Sequence, residues 1–355
     1  MTGELKDQLV RRIRAEGPIT LADYMGTCLL HPQHGYYATR DPFGQSGDFI
    51  TAPEISQMFG ELVGLALAQS WLEQGSPAPF TLAEVGPGRG TLMADILRAT
   101  KGVVGFHEAA QVYLVEASET LQGIQAMTLE GANVQWASDV NALPDAPLWL
   151  VANEFFDALP IRQFQRADTG WCERLVTVGD EGQLGFGLAQ ETAFADLENR
   201  LDDTKQGDVV ETCSVATAIT HSIGERIEAH GGCALYVDYG DWHSLGDTFQ
   251  AVQAHQTCDP FEAPGQADLT AHVDFEALAL ATPCAYSRVT PQGVFLERLG
   301  IVQRAQTLAQ NLSGETLENH ISAFRRLTHP DEMGTLFKVM ALYPHGAKPP
   351  PGVGV

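Results

Sequence analysis

The run Phe80–Ala99, FTLAEVGPGRGTLMADILRA, decides the fold. Six strand-forming residues carry one acid, Glu84; glycines follow at 86, 88 and 90; and Leu92 to Ala99 then takes up helical spacing. Strand, glycine turn and helix in that order open a βαβ unit, which the apolar run from Val112 to Glu116 completes. A glycine turn at the carboxyl edge of a first strand, feeding a helix amino terminus, is where α/β sheets bind nucleotides. The expected core is a Rossmann-like α/β sheet beginning near Phe80.

The spacing narrows the ligand. A dinucleotide turn reads G-x-G-x-x-G, whereas here the third glycine comes one residue early and Glu84 precedes the loop, which favours S-adenosylmethionine (SAM). Glu116 supplies the acidic acceptor that ribose hydroxyls need after the second strand. Asp139, after the third strand at Val134 to Trp136, is a candidate acceptor for the adenine amino group, with a turn or helix cap as the alternative. A fourth strand, Leu148 to Ala152, is the apolar run of a sheet covered on both faces and leads into Asn153, Glu154 and Asp157. A fifth, Cys233 to Val237, leads into Asp238 and Tyr239.

Outward from this core, 1–78 reads as a helical amino-terminal extension and lid, with helices at 4–15 and from Leu21 to about Cys28, an ordered loop from His31 to Phe49, and a helix opened by a Thr51-x-x-Glu54 capping box. The first part of the core spans 79–161. An inserted region, 162–230, holds a hairpin (Arg162 to Gln165 and Trp171 to Val178), a third strand at Gly185 to Leu188, and helical sequence at 193–199 and 209–229. The core resumes over 231–347, with helices at 275–281, 295–308 and 317–326, strands near 286–289 and at 335–342, and a loose Pro/Gly tail at 348–355.

The 21 Lys and Arg face 45 Asp and Glu, a formal charge of -24 that disfavours a nucleic-acid substrate and suits either plain solubility or a basic partner. The six cysteines are scattered without a Cys-x-x-Cys pair, so neither a metal site nor a disulfide framework is expected. The charged, leucine-bearing stretch Met1 to Arg14 lacks a secretory core, and no apolar run is long enough for membrane insertion. A cytoplasmic location is expected. Composition leaves the oligomeric state open.

Across nearly its whole length the chain resembles the MidA-like methyltransferases, a family that includes the mitochondrial complex I assembly factor that methylates arginine. The resemblance is carried by Tyr24-Met25, His34 to Tyr37, Gly47 to Ser56, Phe59 to Glu61, Glu84 to Gly90, Asn153 to Pro160, Val237 to Gly240, Asp268 to Phe275 and Phe337 to Val339. It implies a class I SAM-dependent methyltransferase with a seven-stranded sheet and a protein substrate, a respiratory complex I subunit being the candidate acceptor. Glu84, Gly86, Gly88, Gly90 and Glu116 would then hold SAM, with Asn153 beside the methyl and Asp48, Thr51 and Pro53 in a lid over it. Glu154 and Asp157 would grip a guanidinium, and His272, in a loop at the site mouth, would accept a proton. The chain departs from the family at Val252 to Cys258, where basic residues are expected, which bears on acceptor choice. A small-molecule acceptor, or an assembly chaperone keeping the fold without catalysis, are the alternative readings.

Overall fold

The computed structural model describes residues 3–39 and 51–354, and in it the apolar runs become the strands of one twisted sheet. Its main path uses β1 (Phe80–Val85), β2 (Ala110–Val115), β3 (Val134–Ala137), β4 (Leu148–Asn153), β5 (Gly232–Asp241), β6 (Ala285–Tyr286) and β7 (Phe337–Tyr343). The order is β6-β7-β5-β4-β1-β2-β3. Strands β1 to β5 pair in parallel, while β7 runs antiparallel to β5 and β6 antiparallel to β7. The order reverses between β1 and β4, and in open α/β sheets ligands bind outside the carboxyl ends of strands at such a switch point. This is the class I methyltransferase topology that the sequence implied.

Central parallel strands are covered on both faces, so they read as unbroken apolar runs. Every residue of β1 and of β4 is buried. Phe80 meets Trp149 edge-on at 5.1 Å and Phe106 at 5.1 Å, while Trp71 closes on Phe106 at 5.3 Å. Such aromatic pairs each contribute about 0.5–1.5 kcal/mol beyond the area they bury. Helix α1 (Gln57–Glu73) packs closely on α2 (Thr91–Thr100), because α1 carries Gly60 and Gly64 on that face. A Cβ at Gly64 would sit 2.9 Å from the Ile96 Cα, so only glycine allows the approach. Buried Glu61 binds Arg98 of α2 and Arg304 of the helix Ile301–Ala309. Burial pushes its carboxyl up, but the hydrogen bonds from Arg304 and Arg98 outweigh this and hold it below its ordinary value. Among the described residues no helix is long and apolar enough to cross a membrane.

The chain divides into two compact units, and the division falls elsewhere than the expected 1–78, 162–230 and 231–347 boundaries. One unit takes Met1–Phe49, Asp157–Ala216 and His243–Asp274; the other takes Ile50–Phe156, Thr217–Trp242 and Phe275–Val355, and contains the sheet above. In the first unit the helices Glu4–Glu16 and Leu21–Leu30 bury Leu5, Leu9, Ile13, Tyr24 and Met25 against Ile161, Val176 and Phe261. Its antiparallel sheet runs Ile19–Thr20, Trp171–Val178, Arg162–Arg166, Val209–Thr212, with Leu184–Leu188 on the outer side of Trp171–Val178.

Four local expectations are corrected. Val209–Thr212 is a strand, not the start of the following helix; its two β-branched valines pair with Phe164 and Gln165, and helix begins only at Ser214. The helix expected from Thr51 is two, because Ser56 is extended and its hydroxyl caps a new start by accepting the Met58 amide at 3.2 Å. The helix over 295–308 is likewise broken, at Gly300 with φ +90°. The tail is packed: Val353 is buried, the Gly354 amide donates to Thr290 Oγ1 at 2.8 Å, and Arg298 donates to the Gly352 carbonyl at 3.1 Å.

Candidate functional site

The second unit gathers its chemistry at the carboxyl ends of β1, β2, β4 and β5. After β1 the chain turns through Gly86, Gly88 and Gly90 at φ +65°, +51° and +83°, a left-handed run that glycine adopts without steric cost. Gly90 then caps α2, whose first amides face the loop end. Gly86 has a second reason to lack a side chain, since a Cβ there would lie 2.7 Å from the Phe155 ring.

Glu84 stands in β1 itself, buried, and its Oε2 has no hydrogen-bond partner among the described residues. Burial pushes its carboxyl well above the ordinary value, against a smaller opposing contribution from the Met93 backbone. A buried acceptor without a donor is costly unless ordered water or a ligand satisfies it. Asn153, closing β4, has the same feature, for its buried Oδ1 is unpartnered while its Nδ2 lies 3.3 Å from Glu154 Oε1.

Glu116 lies at the end of β2, as expected. Its Oε1 accepts the Ser118 amide at 2.8 Å and its Oε2 a hydrogen bond from Gln125 Nε2 at 3.2 Å. Burial raises its carboxyl, and these bonds oppose the rise. Gln125, which sequence reasoning missed, is fully buried on the helix α3 (Glu119–Thr128). One amide ties three elements: Nε2 donates to the Gly88 carbonyl at 2.8 Å as well as to Glu116, and Oε1 accepts from Trp136 Nε1 of β3 at 2.8 Å. The available signal was a polar residue on the apolar stripe, one turn after Leu121.

Asp139 is exposed after β3 and caps the turn Val140–Ala142, accepting the Asn141 amide at 2.8 Å; the capping alternative is what its side chain does. Thr51 precedes the short turn Ala52–Ile55 in which Pro53 is buried. The capping box is not made: Thr51 offers no side-chain cap, and Glu54 Oε1 instead accepts Thr91 Oγ1 at 2.5 Å. Asp48 lies outside the described residues.

Glu154 is the other left-handed residue here, at φ +52°, a region a non-glycine residue rarely occupies. Its amide donates to the Val237 carbonyl at 2.8 Å, and its Oε1 accepts the Ala52 amide at 2.8 Å. Asp157, His272 and Asp274 belong to the first unit. There the Asp157 carbonyl accepts the Ala271 amide at 2.9 Å, the His272 amide donates to Thr248 Oγ1 at 2.8 Å, and Asp274 Oδ2 accepts the Ser244 amide at 3.3 Å.

A reversed parallel sheet, a three-glycine loop at its switch point, an acid at the end of the second strand and two orphaned buried oxygens define a SAM-dependent methyltransferase. The residues fit that cofactor: Glu84 Oε2 and Asn153 Oδ1 are acceptors awaiting donors, and the loop is bare of side chains where a ligand must approach. A family profile described as "Putative S-adenosyl-L-methionine-dependent methyltransferase" matches residues 62–293, and the chain belongs to this methyltransferase family, with SAM as its cofactor. It is 37% identical to the human "Protein arginine methyltransferase NDUFAF7, mitochondrial", over 95% of this chain and 82% of that protein. It is also 37% identical to the Drosophila melanogaster homolog of that name, over 96% and 85%. A Burkholderia thailandensis protein crystallised with S-adenosyl-homocysteine superposes with a TM-score of 0.83 at 29% identity, over 100% of this chain and 93% of that one.

These relatives overturn the expected cytoplasmic location, since they are named mitochondrial. Free thiols occur in proteins of more than one compartment, so the six unpaired cysteines do not discriminate between them.

Proposed function

We propose that this chain transfers the SAM methyl group to arginine side chains of a protein, with a respiratory complex I subunit as the acceptor. The relatives' names support an arginine acceptor, and the observation that carries the reading is Glu154. A carboxylate stands at the end of β4 on strained left-handed backbone, its side chain fixed by the Ala52 amide. Strain of this kind collects where a site needs one geometry.

SAM supplies an electrophilic methyl group; the difficulty lies with the acceptor. A guanidinium is always protonated and its lone pairs are delocalised, so it is a poor nucleophile. A carboxylate bound to one edge fixes the guanidinium plane and balances its charge. Orientation against the methyl then supplies much of the rate. The proposal rests on Glu154, which stands in the unit of the glycine loop; the catalytic roles of Asp157 and His272 are carried by the family resemblance alone. For the cofactor it takes Glu84, Gly86, Gly88, Gly90, Glu116 and Asn153 as the holding set, Asp139 as a rim acceptor, and Thr51 and Pro53 as part of the cover. The net charge of -24 suits approach of a basic acceptor.

The test is transfer of labelled methyl from SAM to recombinant complex I subunits, followed by hydrolysis and identification of the methylated amino acid. Methylarginine is the expected product. Glu154→Gln should bind SAM as the wild type does and lose about 100-fold in turnover. Label on another residue type, or wild-type turnover in Glu154→Gln, would sink the reading.

A further inference from the structure

Where β4 ends, its hydrogen-bonding ladder with β5 stops in an unusual way. The Glu154 amide makes the last regular bond, to the Val237 carbonyl. The next two amides turn away from strand carbonyls and converge on one side chain: Asp238 Oδ2 accepts from Phe155 at 3.1 Å and from Phe156 at 2.9 Å. Its Oδ1 accepts the Tyr239 amide at 2.9 Å. Asp238 is 0% exposed, so its carboxyl group is turned to these amides and away from solvent.

These bonds bracket the left-handed residue. Glu154, at φ +52°, is held from before by its own amide and from behind by the two amides that Asp238 binds. The same turn lays the Phe155 ring against Gly86 of the cofactor loop. We propose that Asp238 is a positioning residue for methyl transfer: it braces the turn after β4 so that Glu154 keeps the backbone conformation that presents its carboxylate. The proposal rests on the reading of Glu154 as the guanidinium partner. Asn at this position would keep the shape but offer one acceptor oxygen and an NH2 group that faces amides it cannot bind.

The experiment is a thermal-stability cycle on the full chain, with Asp238→Asn, Glu154→Gly and the double variant. Glycine takes the left-handed conformation freely, so a brace has less to hold in that background. Asp238→Asn should lower the Tm of the wild type by about 5 °C and that of Glu154→Gly by roughly half as much. It should also reduce turnover on the complex I subunits about tenfold or more while leaving the KM for SAM near wild type. If Asp238→Asn alone does not fold, recovery of folded protein in the Glu154→Gly background supports the brace, and failure in both overturns it. Equal Tm losses in the two backgrounds would also overturn it. Coupled losses together with wild-type turnover in Glu154→Gln would instead overturn the guanidinium reading, and with it the catalytic purpose of the brace.

Discussion

The turns after β1 and β4 both carry left-handed backbone at the same end of the sheet, but they hold it by different means. After β1 the conformation is built into the residue type, with glycine at 86, 88 and 90. After β4 a glutamate adopts it, and bonds from residues more than 80 positions away keep it there. Backbone freedom supplied by glycine is local and costs little. Backbone strain at a side chain that chemistry requires must be offset by tertiary contacts, about 1–3 kcal/mol for one such residue.

The comparison can be broken most forcefully at the loop. Gly86→Val combines a forbidden φ with a collision against Phe155, and calorimetry should show SAM affinity reduced about 100-fold or more. Retained affinity would mean that the cofactor does not approach the backbone there. Next comes the buried acid of β1. A carboxyl whose native value is raised binds more protons folded than unfolded, so it makes stability fall as pH rises from the unfolded carboxylate value, about 4.3, up through the native one. Denaturant midpoints of the SAM-free protein between pH 4 and 8 should therefore drop less steeply for Glu84→Gln than for wild type. Parallel slopes would show that Glu84 is not the group responsible.

A smaller effect tests whether the glycine loop, too, leans on distant partners. Gln125→Leu removes the hydrogen bonds to the Trp136 indole and the Gly88 carbonyl and one of the donors to Glu116, and SAM affinity should weaken about tenfold. The finest measurement isolates strain after β4. Glu154→Ala and Glu154→Gly lose the same carboxylate, yet glycine should be the more stable by about 1 kcal/mol, against the usual preference for alanine. Alanine equal or better in chemical denaturation would mean that the turn relaxes once the side chain is gone.

The same contrast explains what the sequence made legible. Strand, glycine loop and the acid at Glu116 are consecutive signals, and each side chain sits where its local pattern puts it. Gln125 was invisible because its partners come from 88, 116 and 136, and Asp238 showed only as a polar residue at a strand end, with no hint of whose amides it binds. Where two local rules competed, the wrong one was easily chosen. Thr51 and Glu54 have capping-box spacing, yet the Thr91 hydroxyl takes Glu54; Val209 to Thr212 adjoins a true helix, yet a vacant strand edge at Arg162–Arg166 claims it. The tail composition suggested looseness, and Thr290 and Arg298, distant in sequence, pin it.

The sheet also ends in a way that bears on how the protein behaves in a crowded solution. Along β7 the outer side is covered by two two-residue pieces, Ala285–Tyr286 and Thr290–Pro291, with Ser287 exchanging hydrogen bonds with Ala341 between them. At the far side β3 is four residues long. Unpaired strand edges are templates for pairing with another chain, and short or proline-bearing ones template poorly. A core so rich in apolar strand is thereby kept from recruiting copies of itself edge to edge.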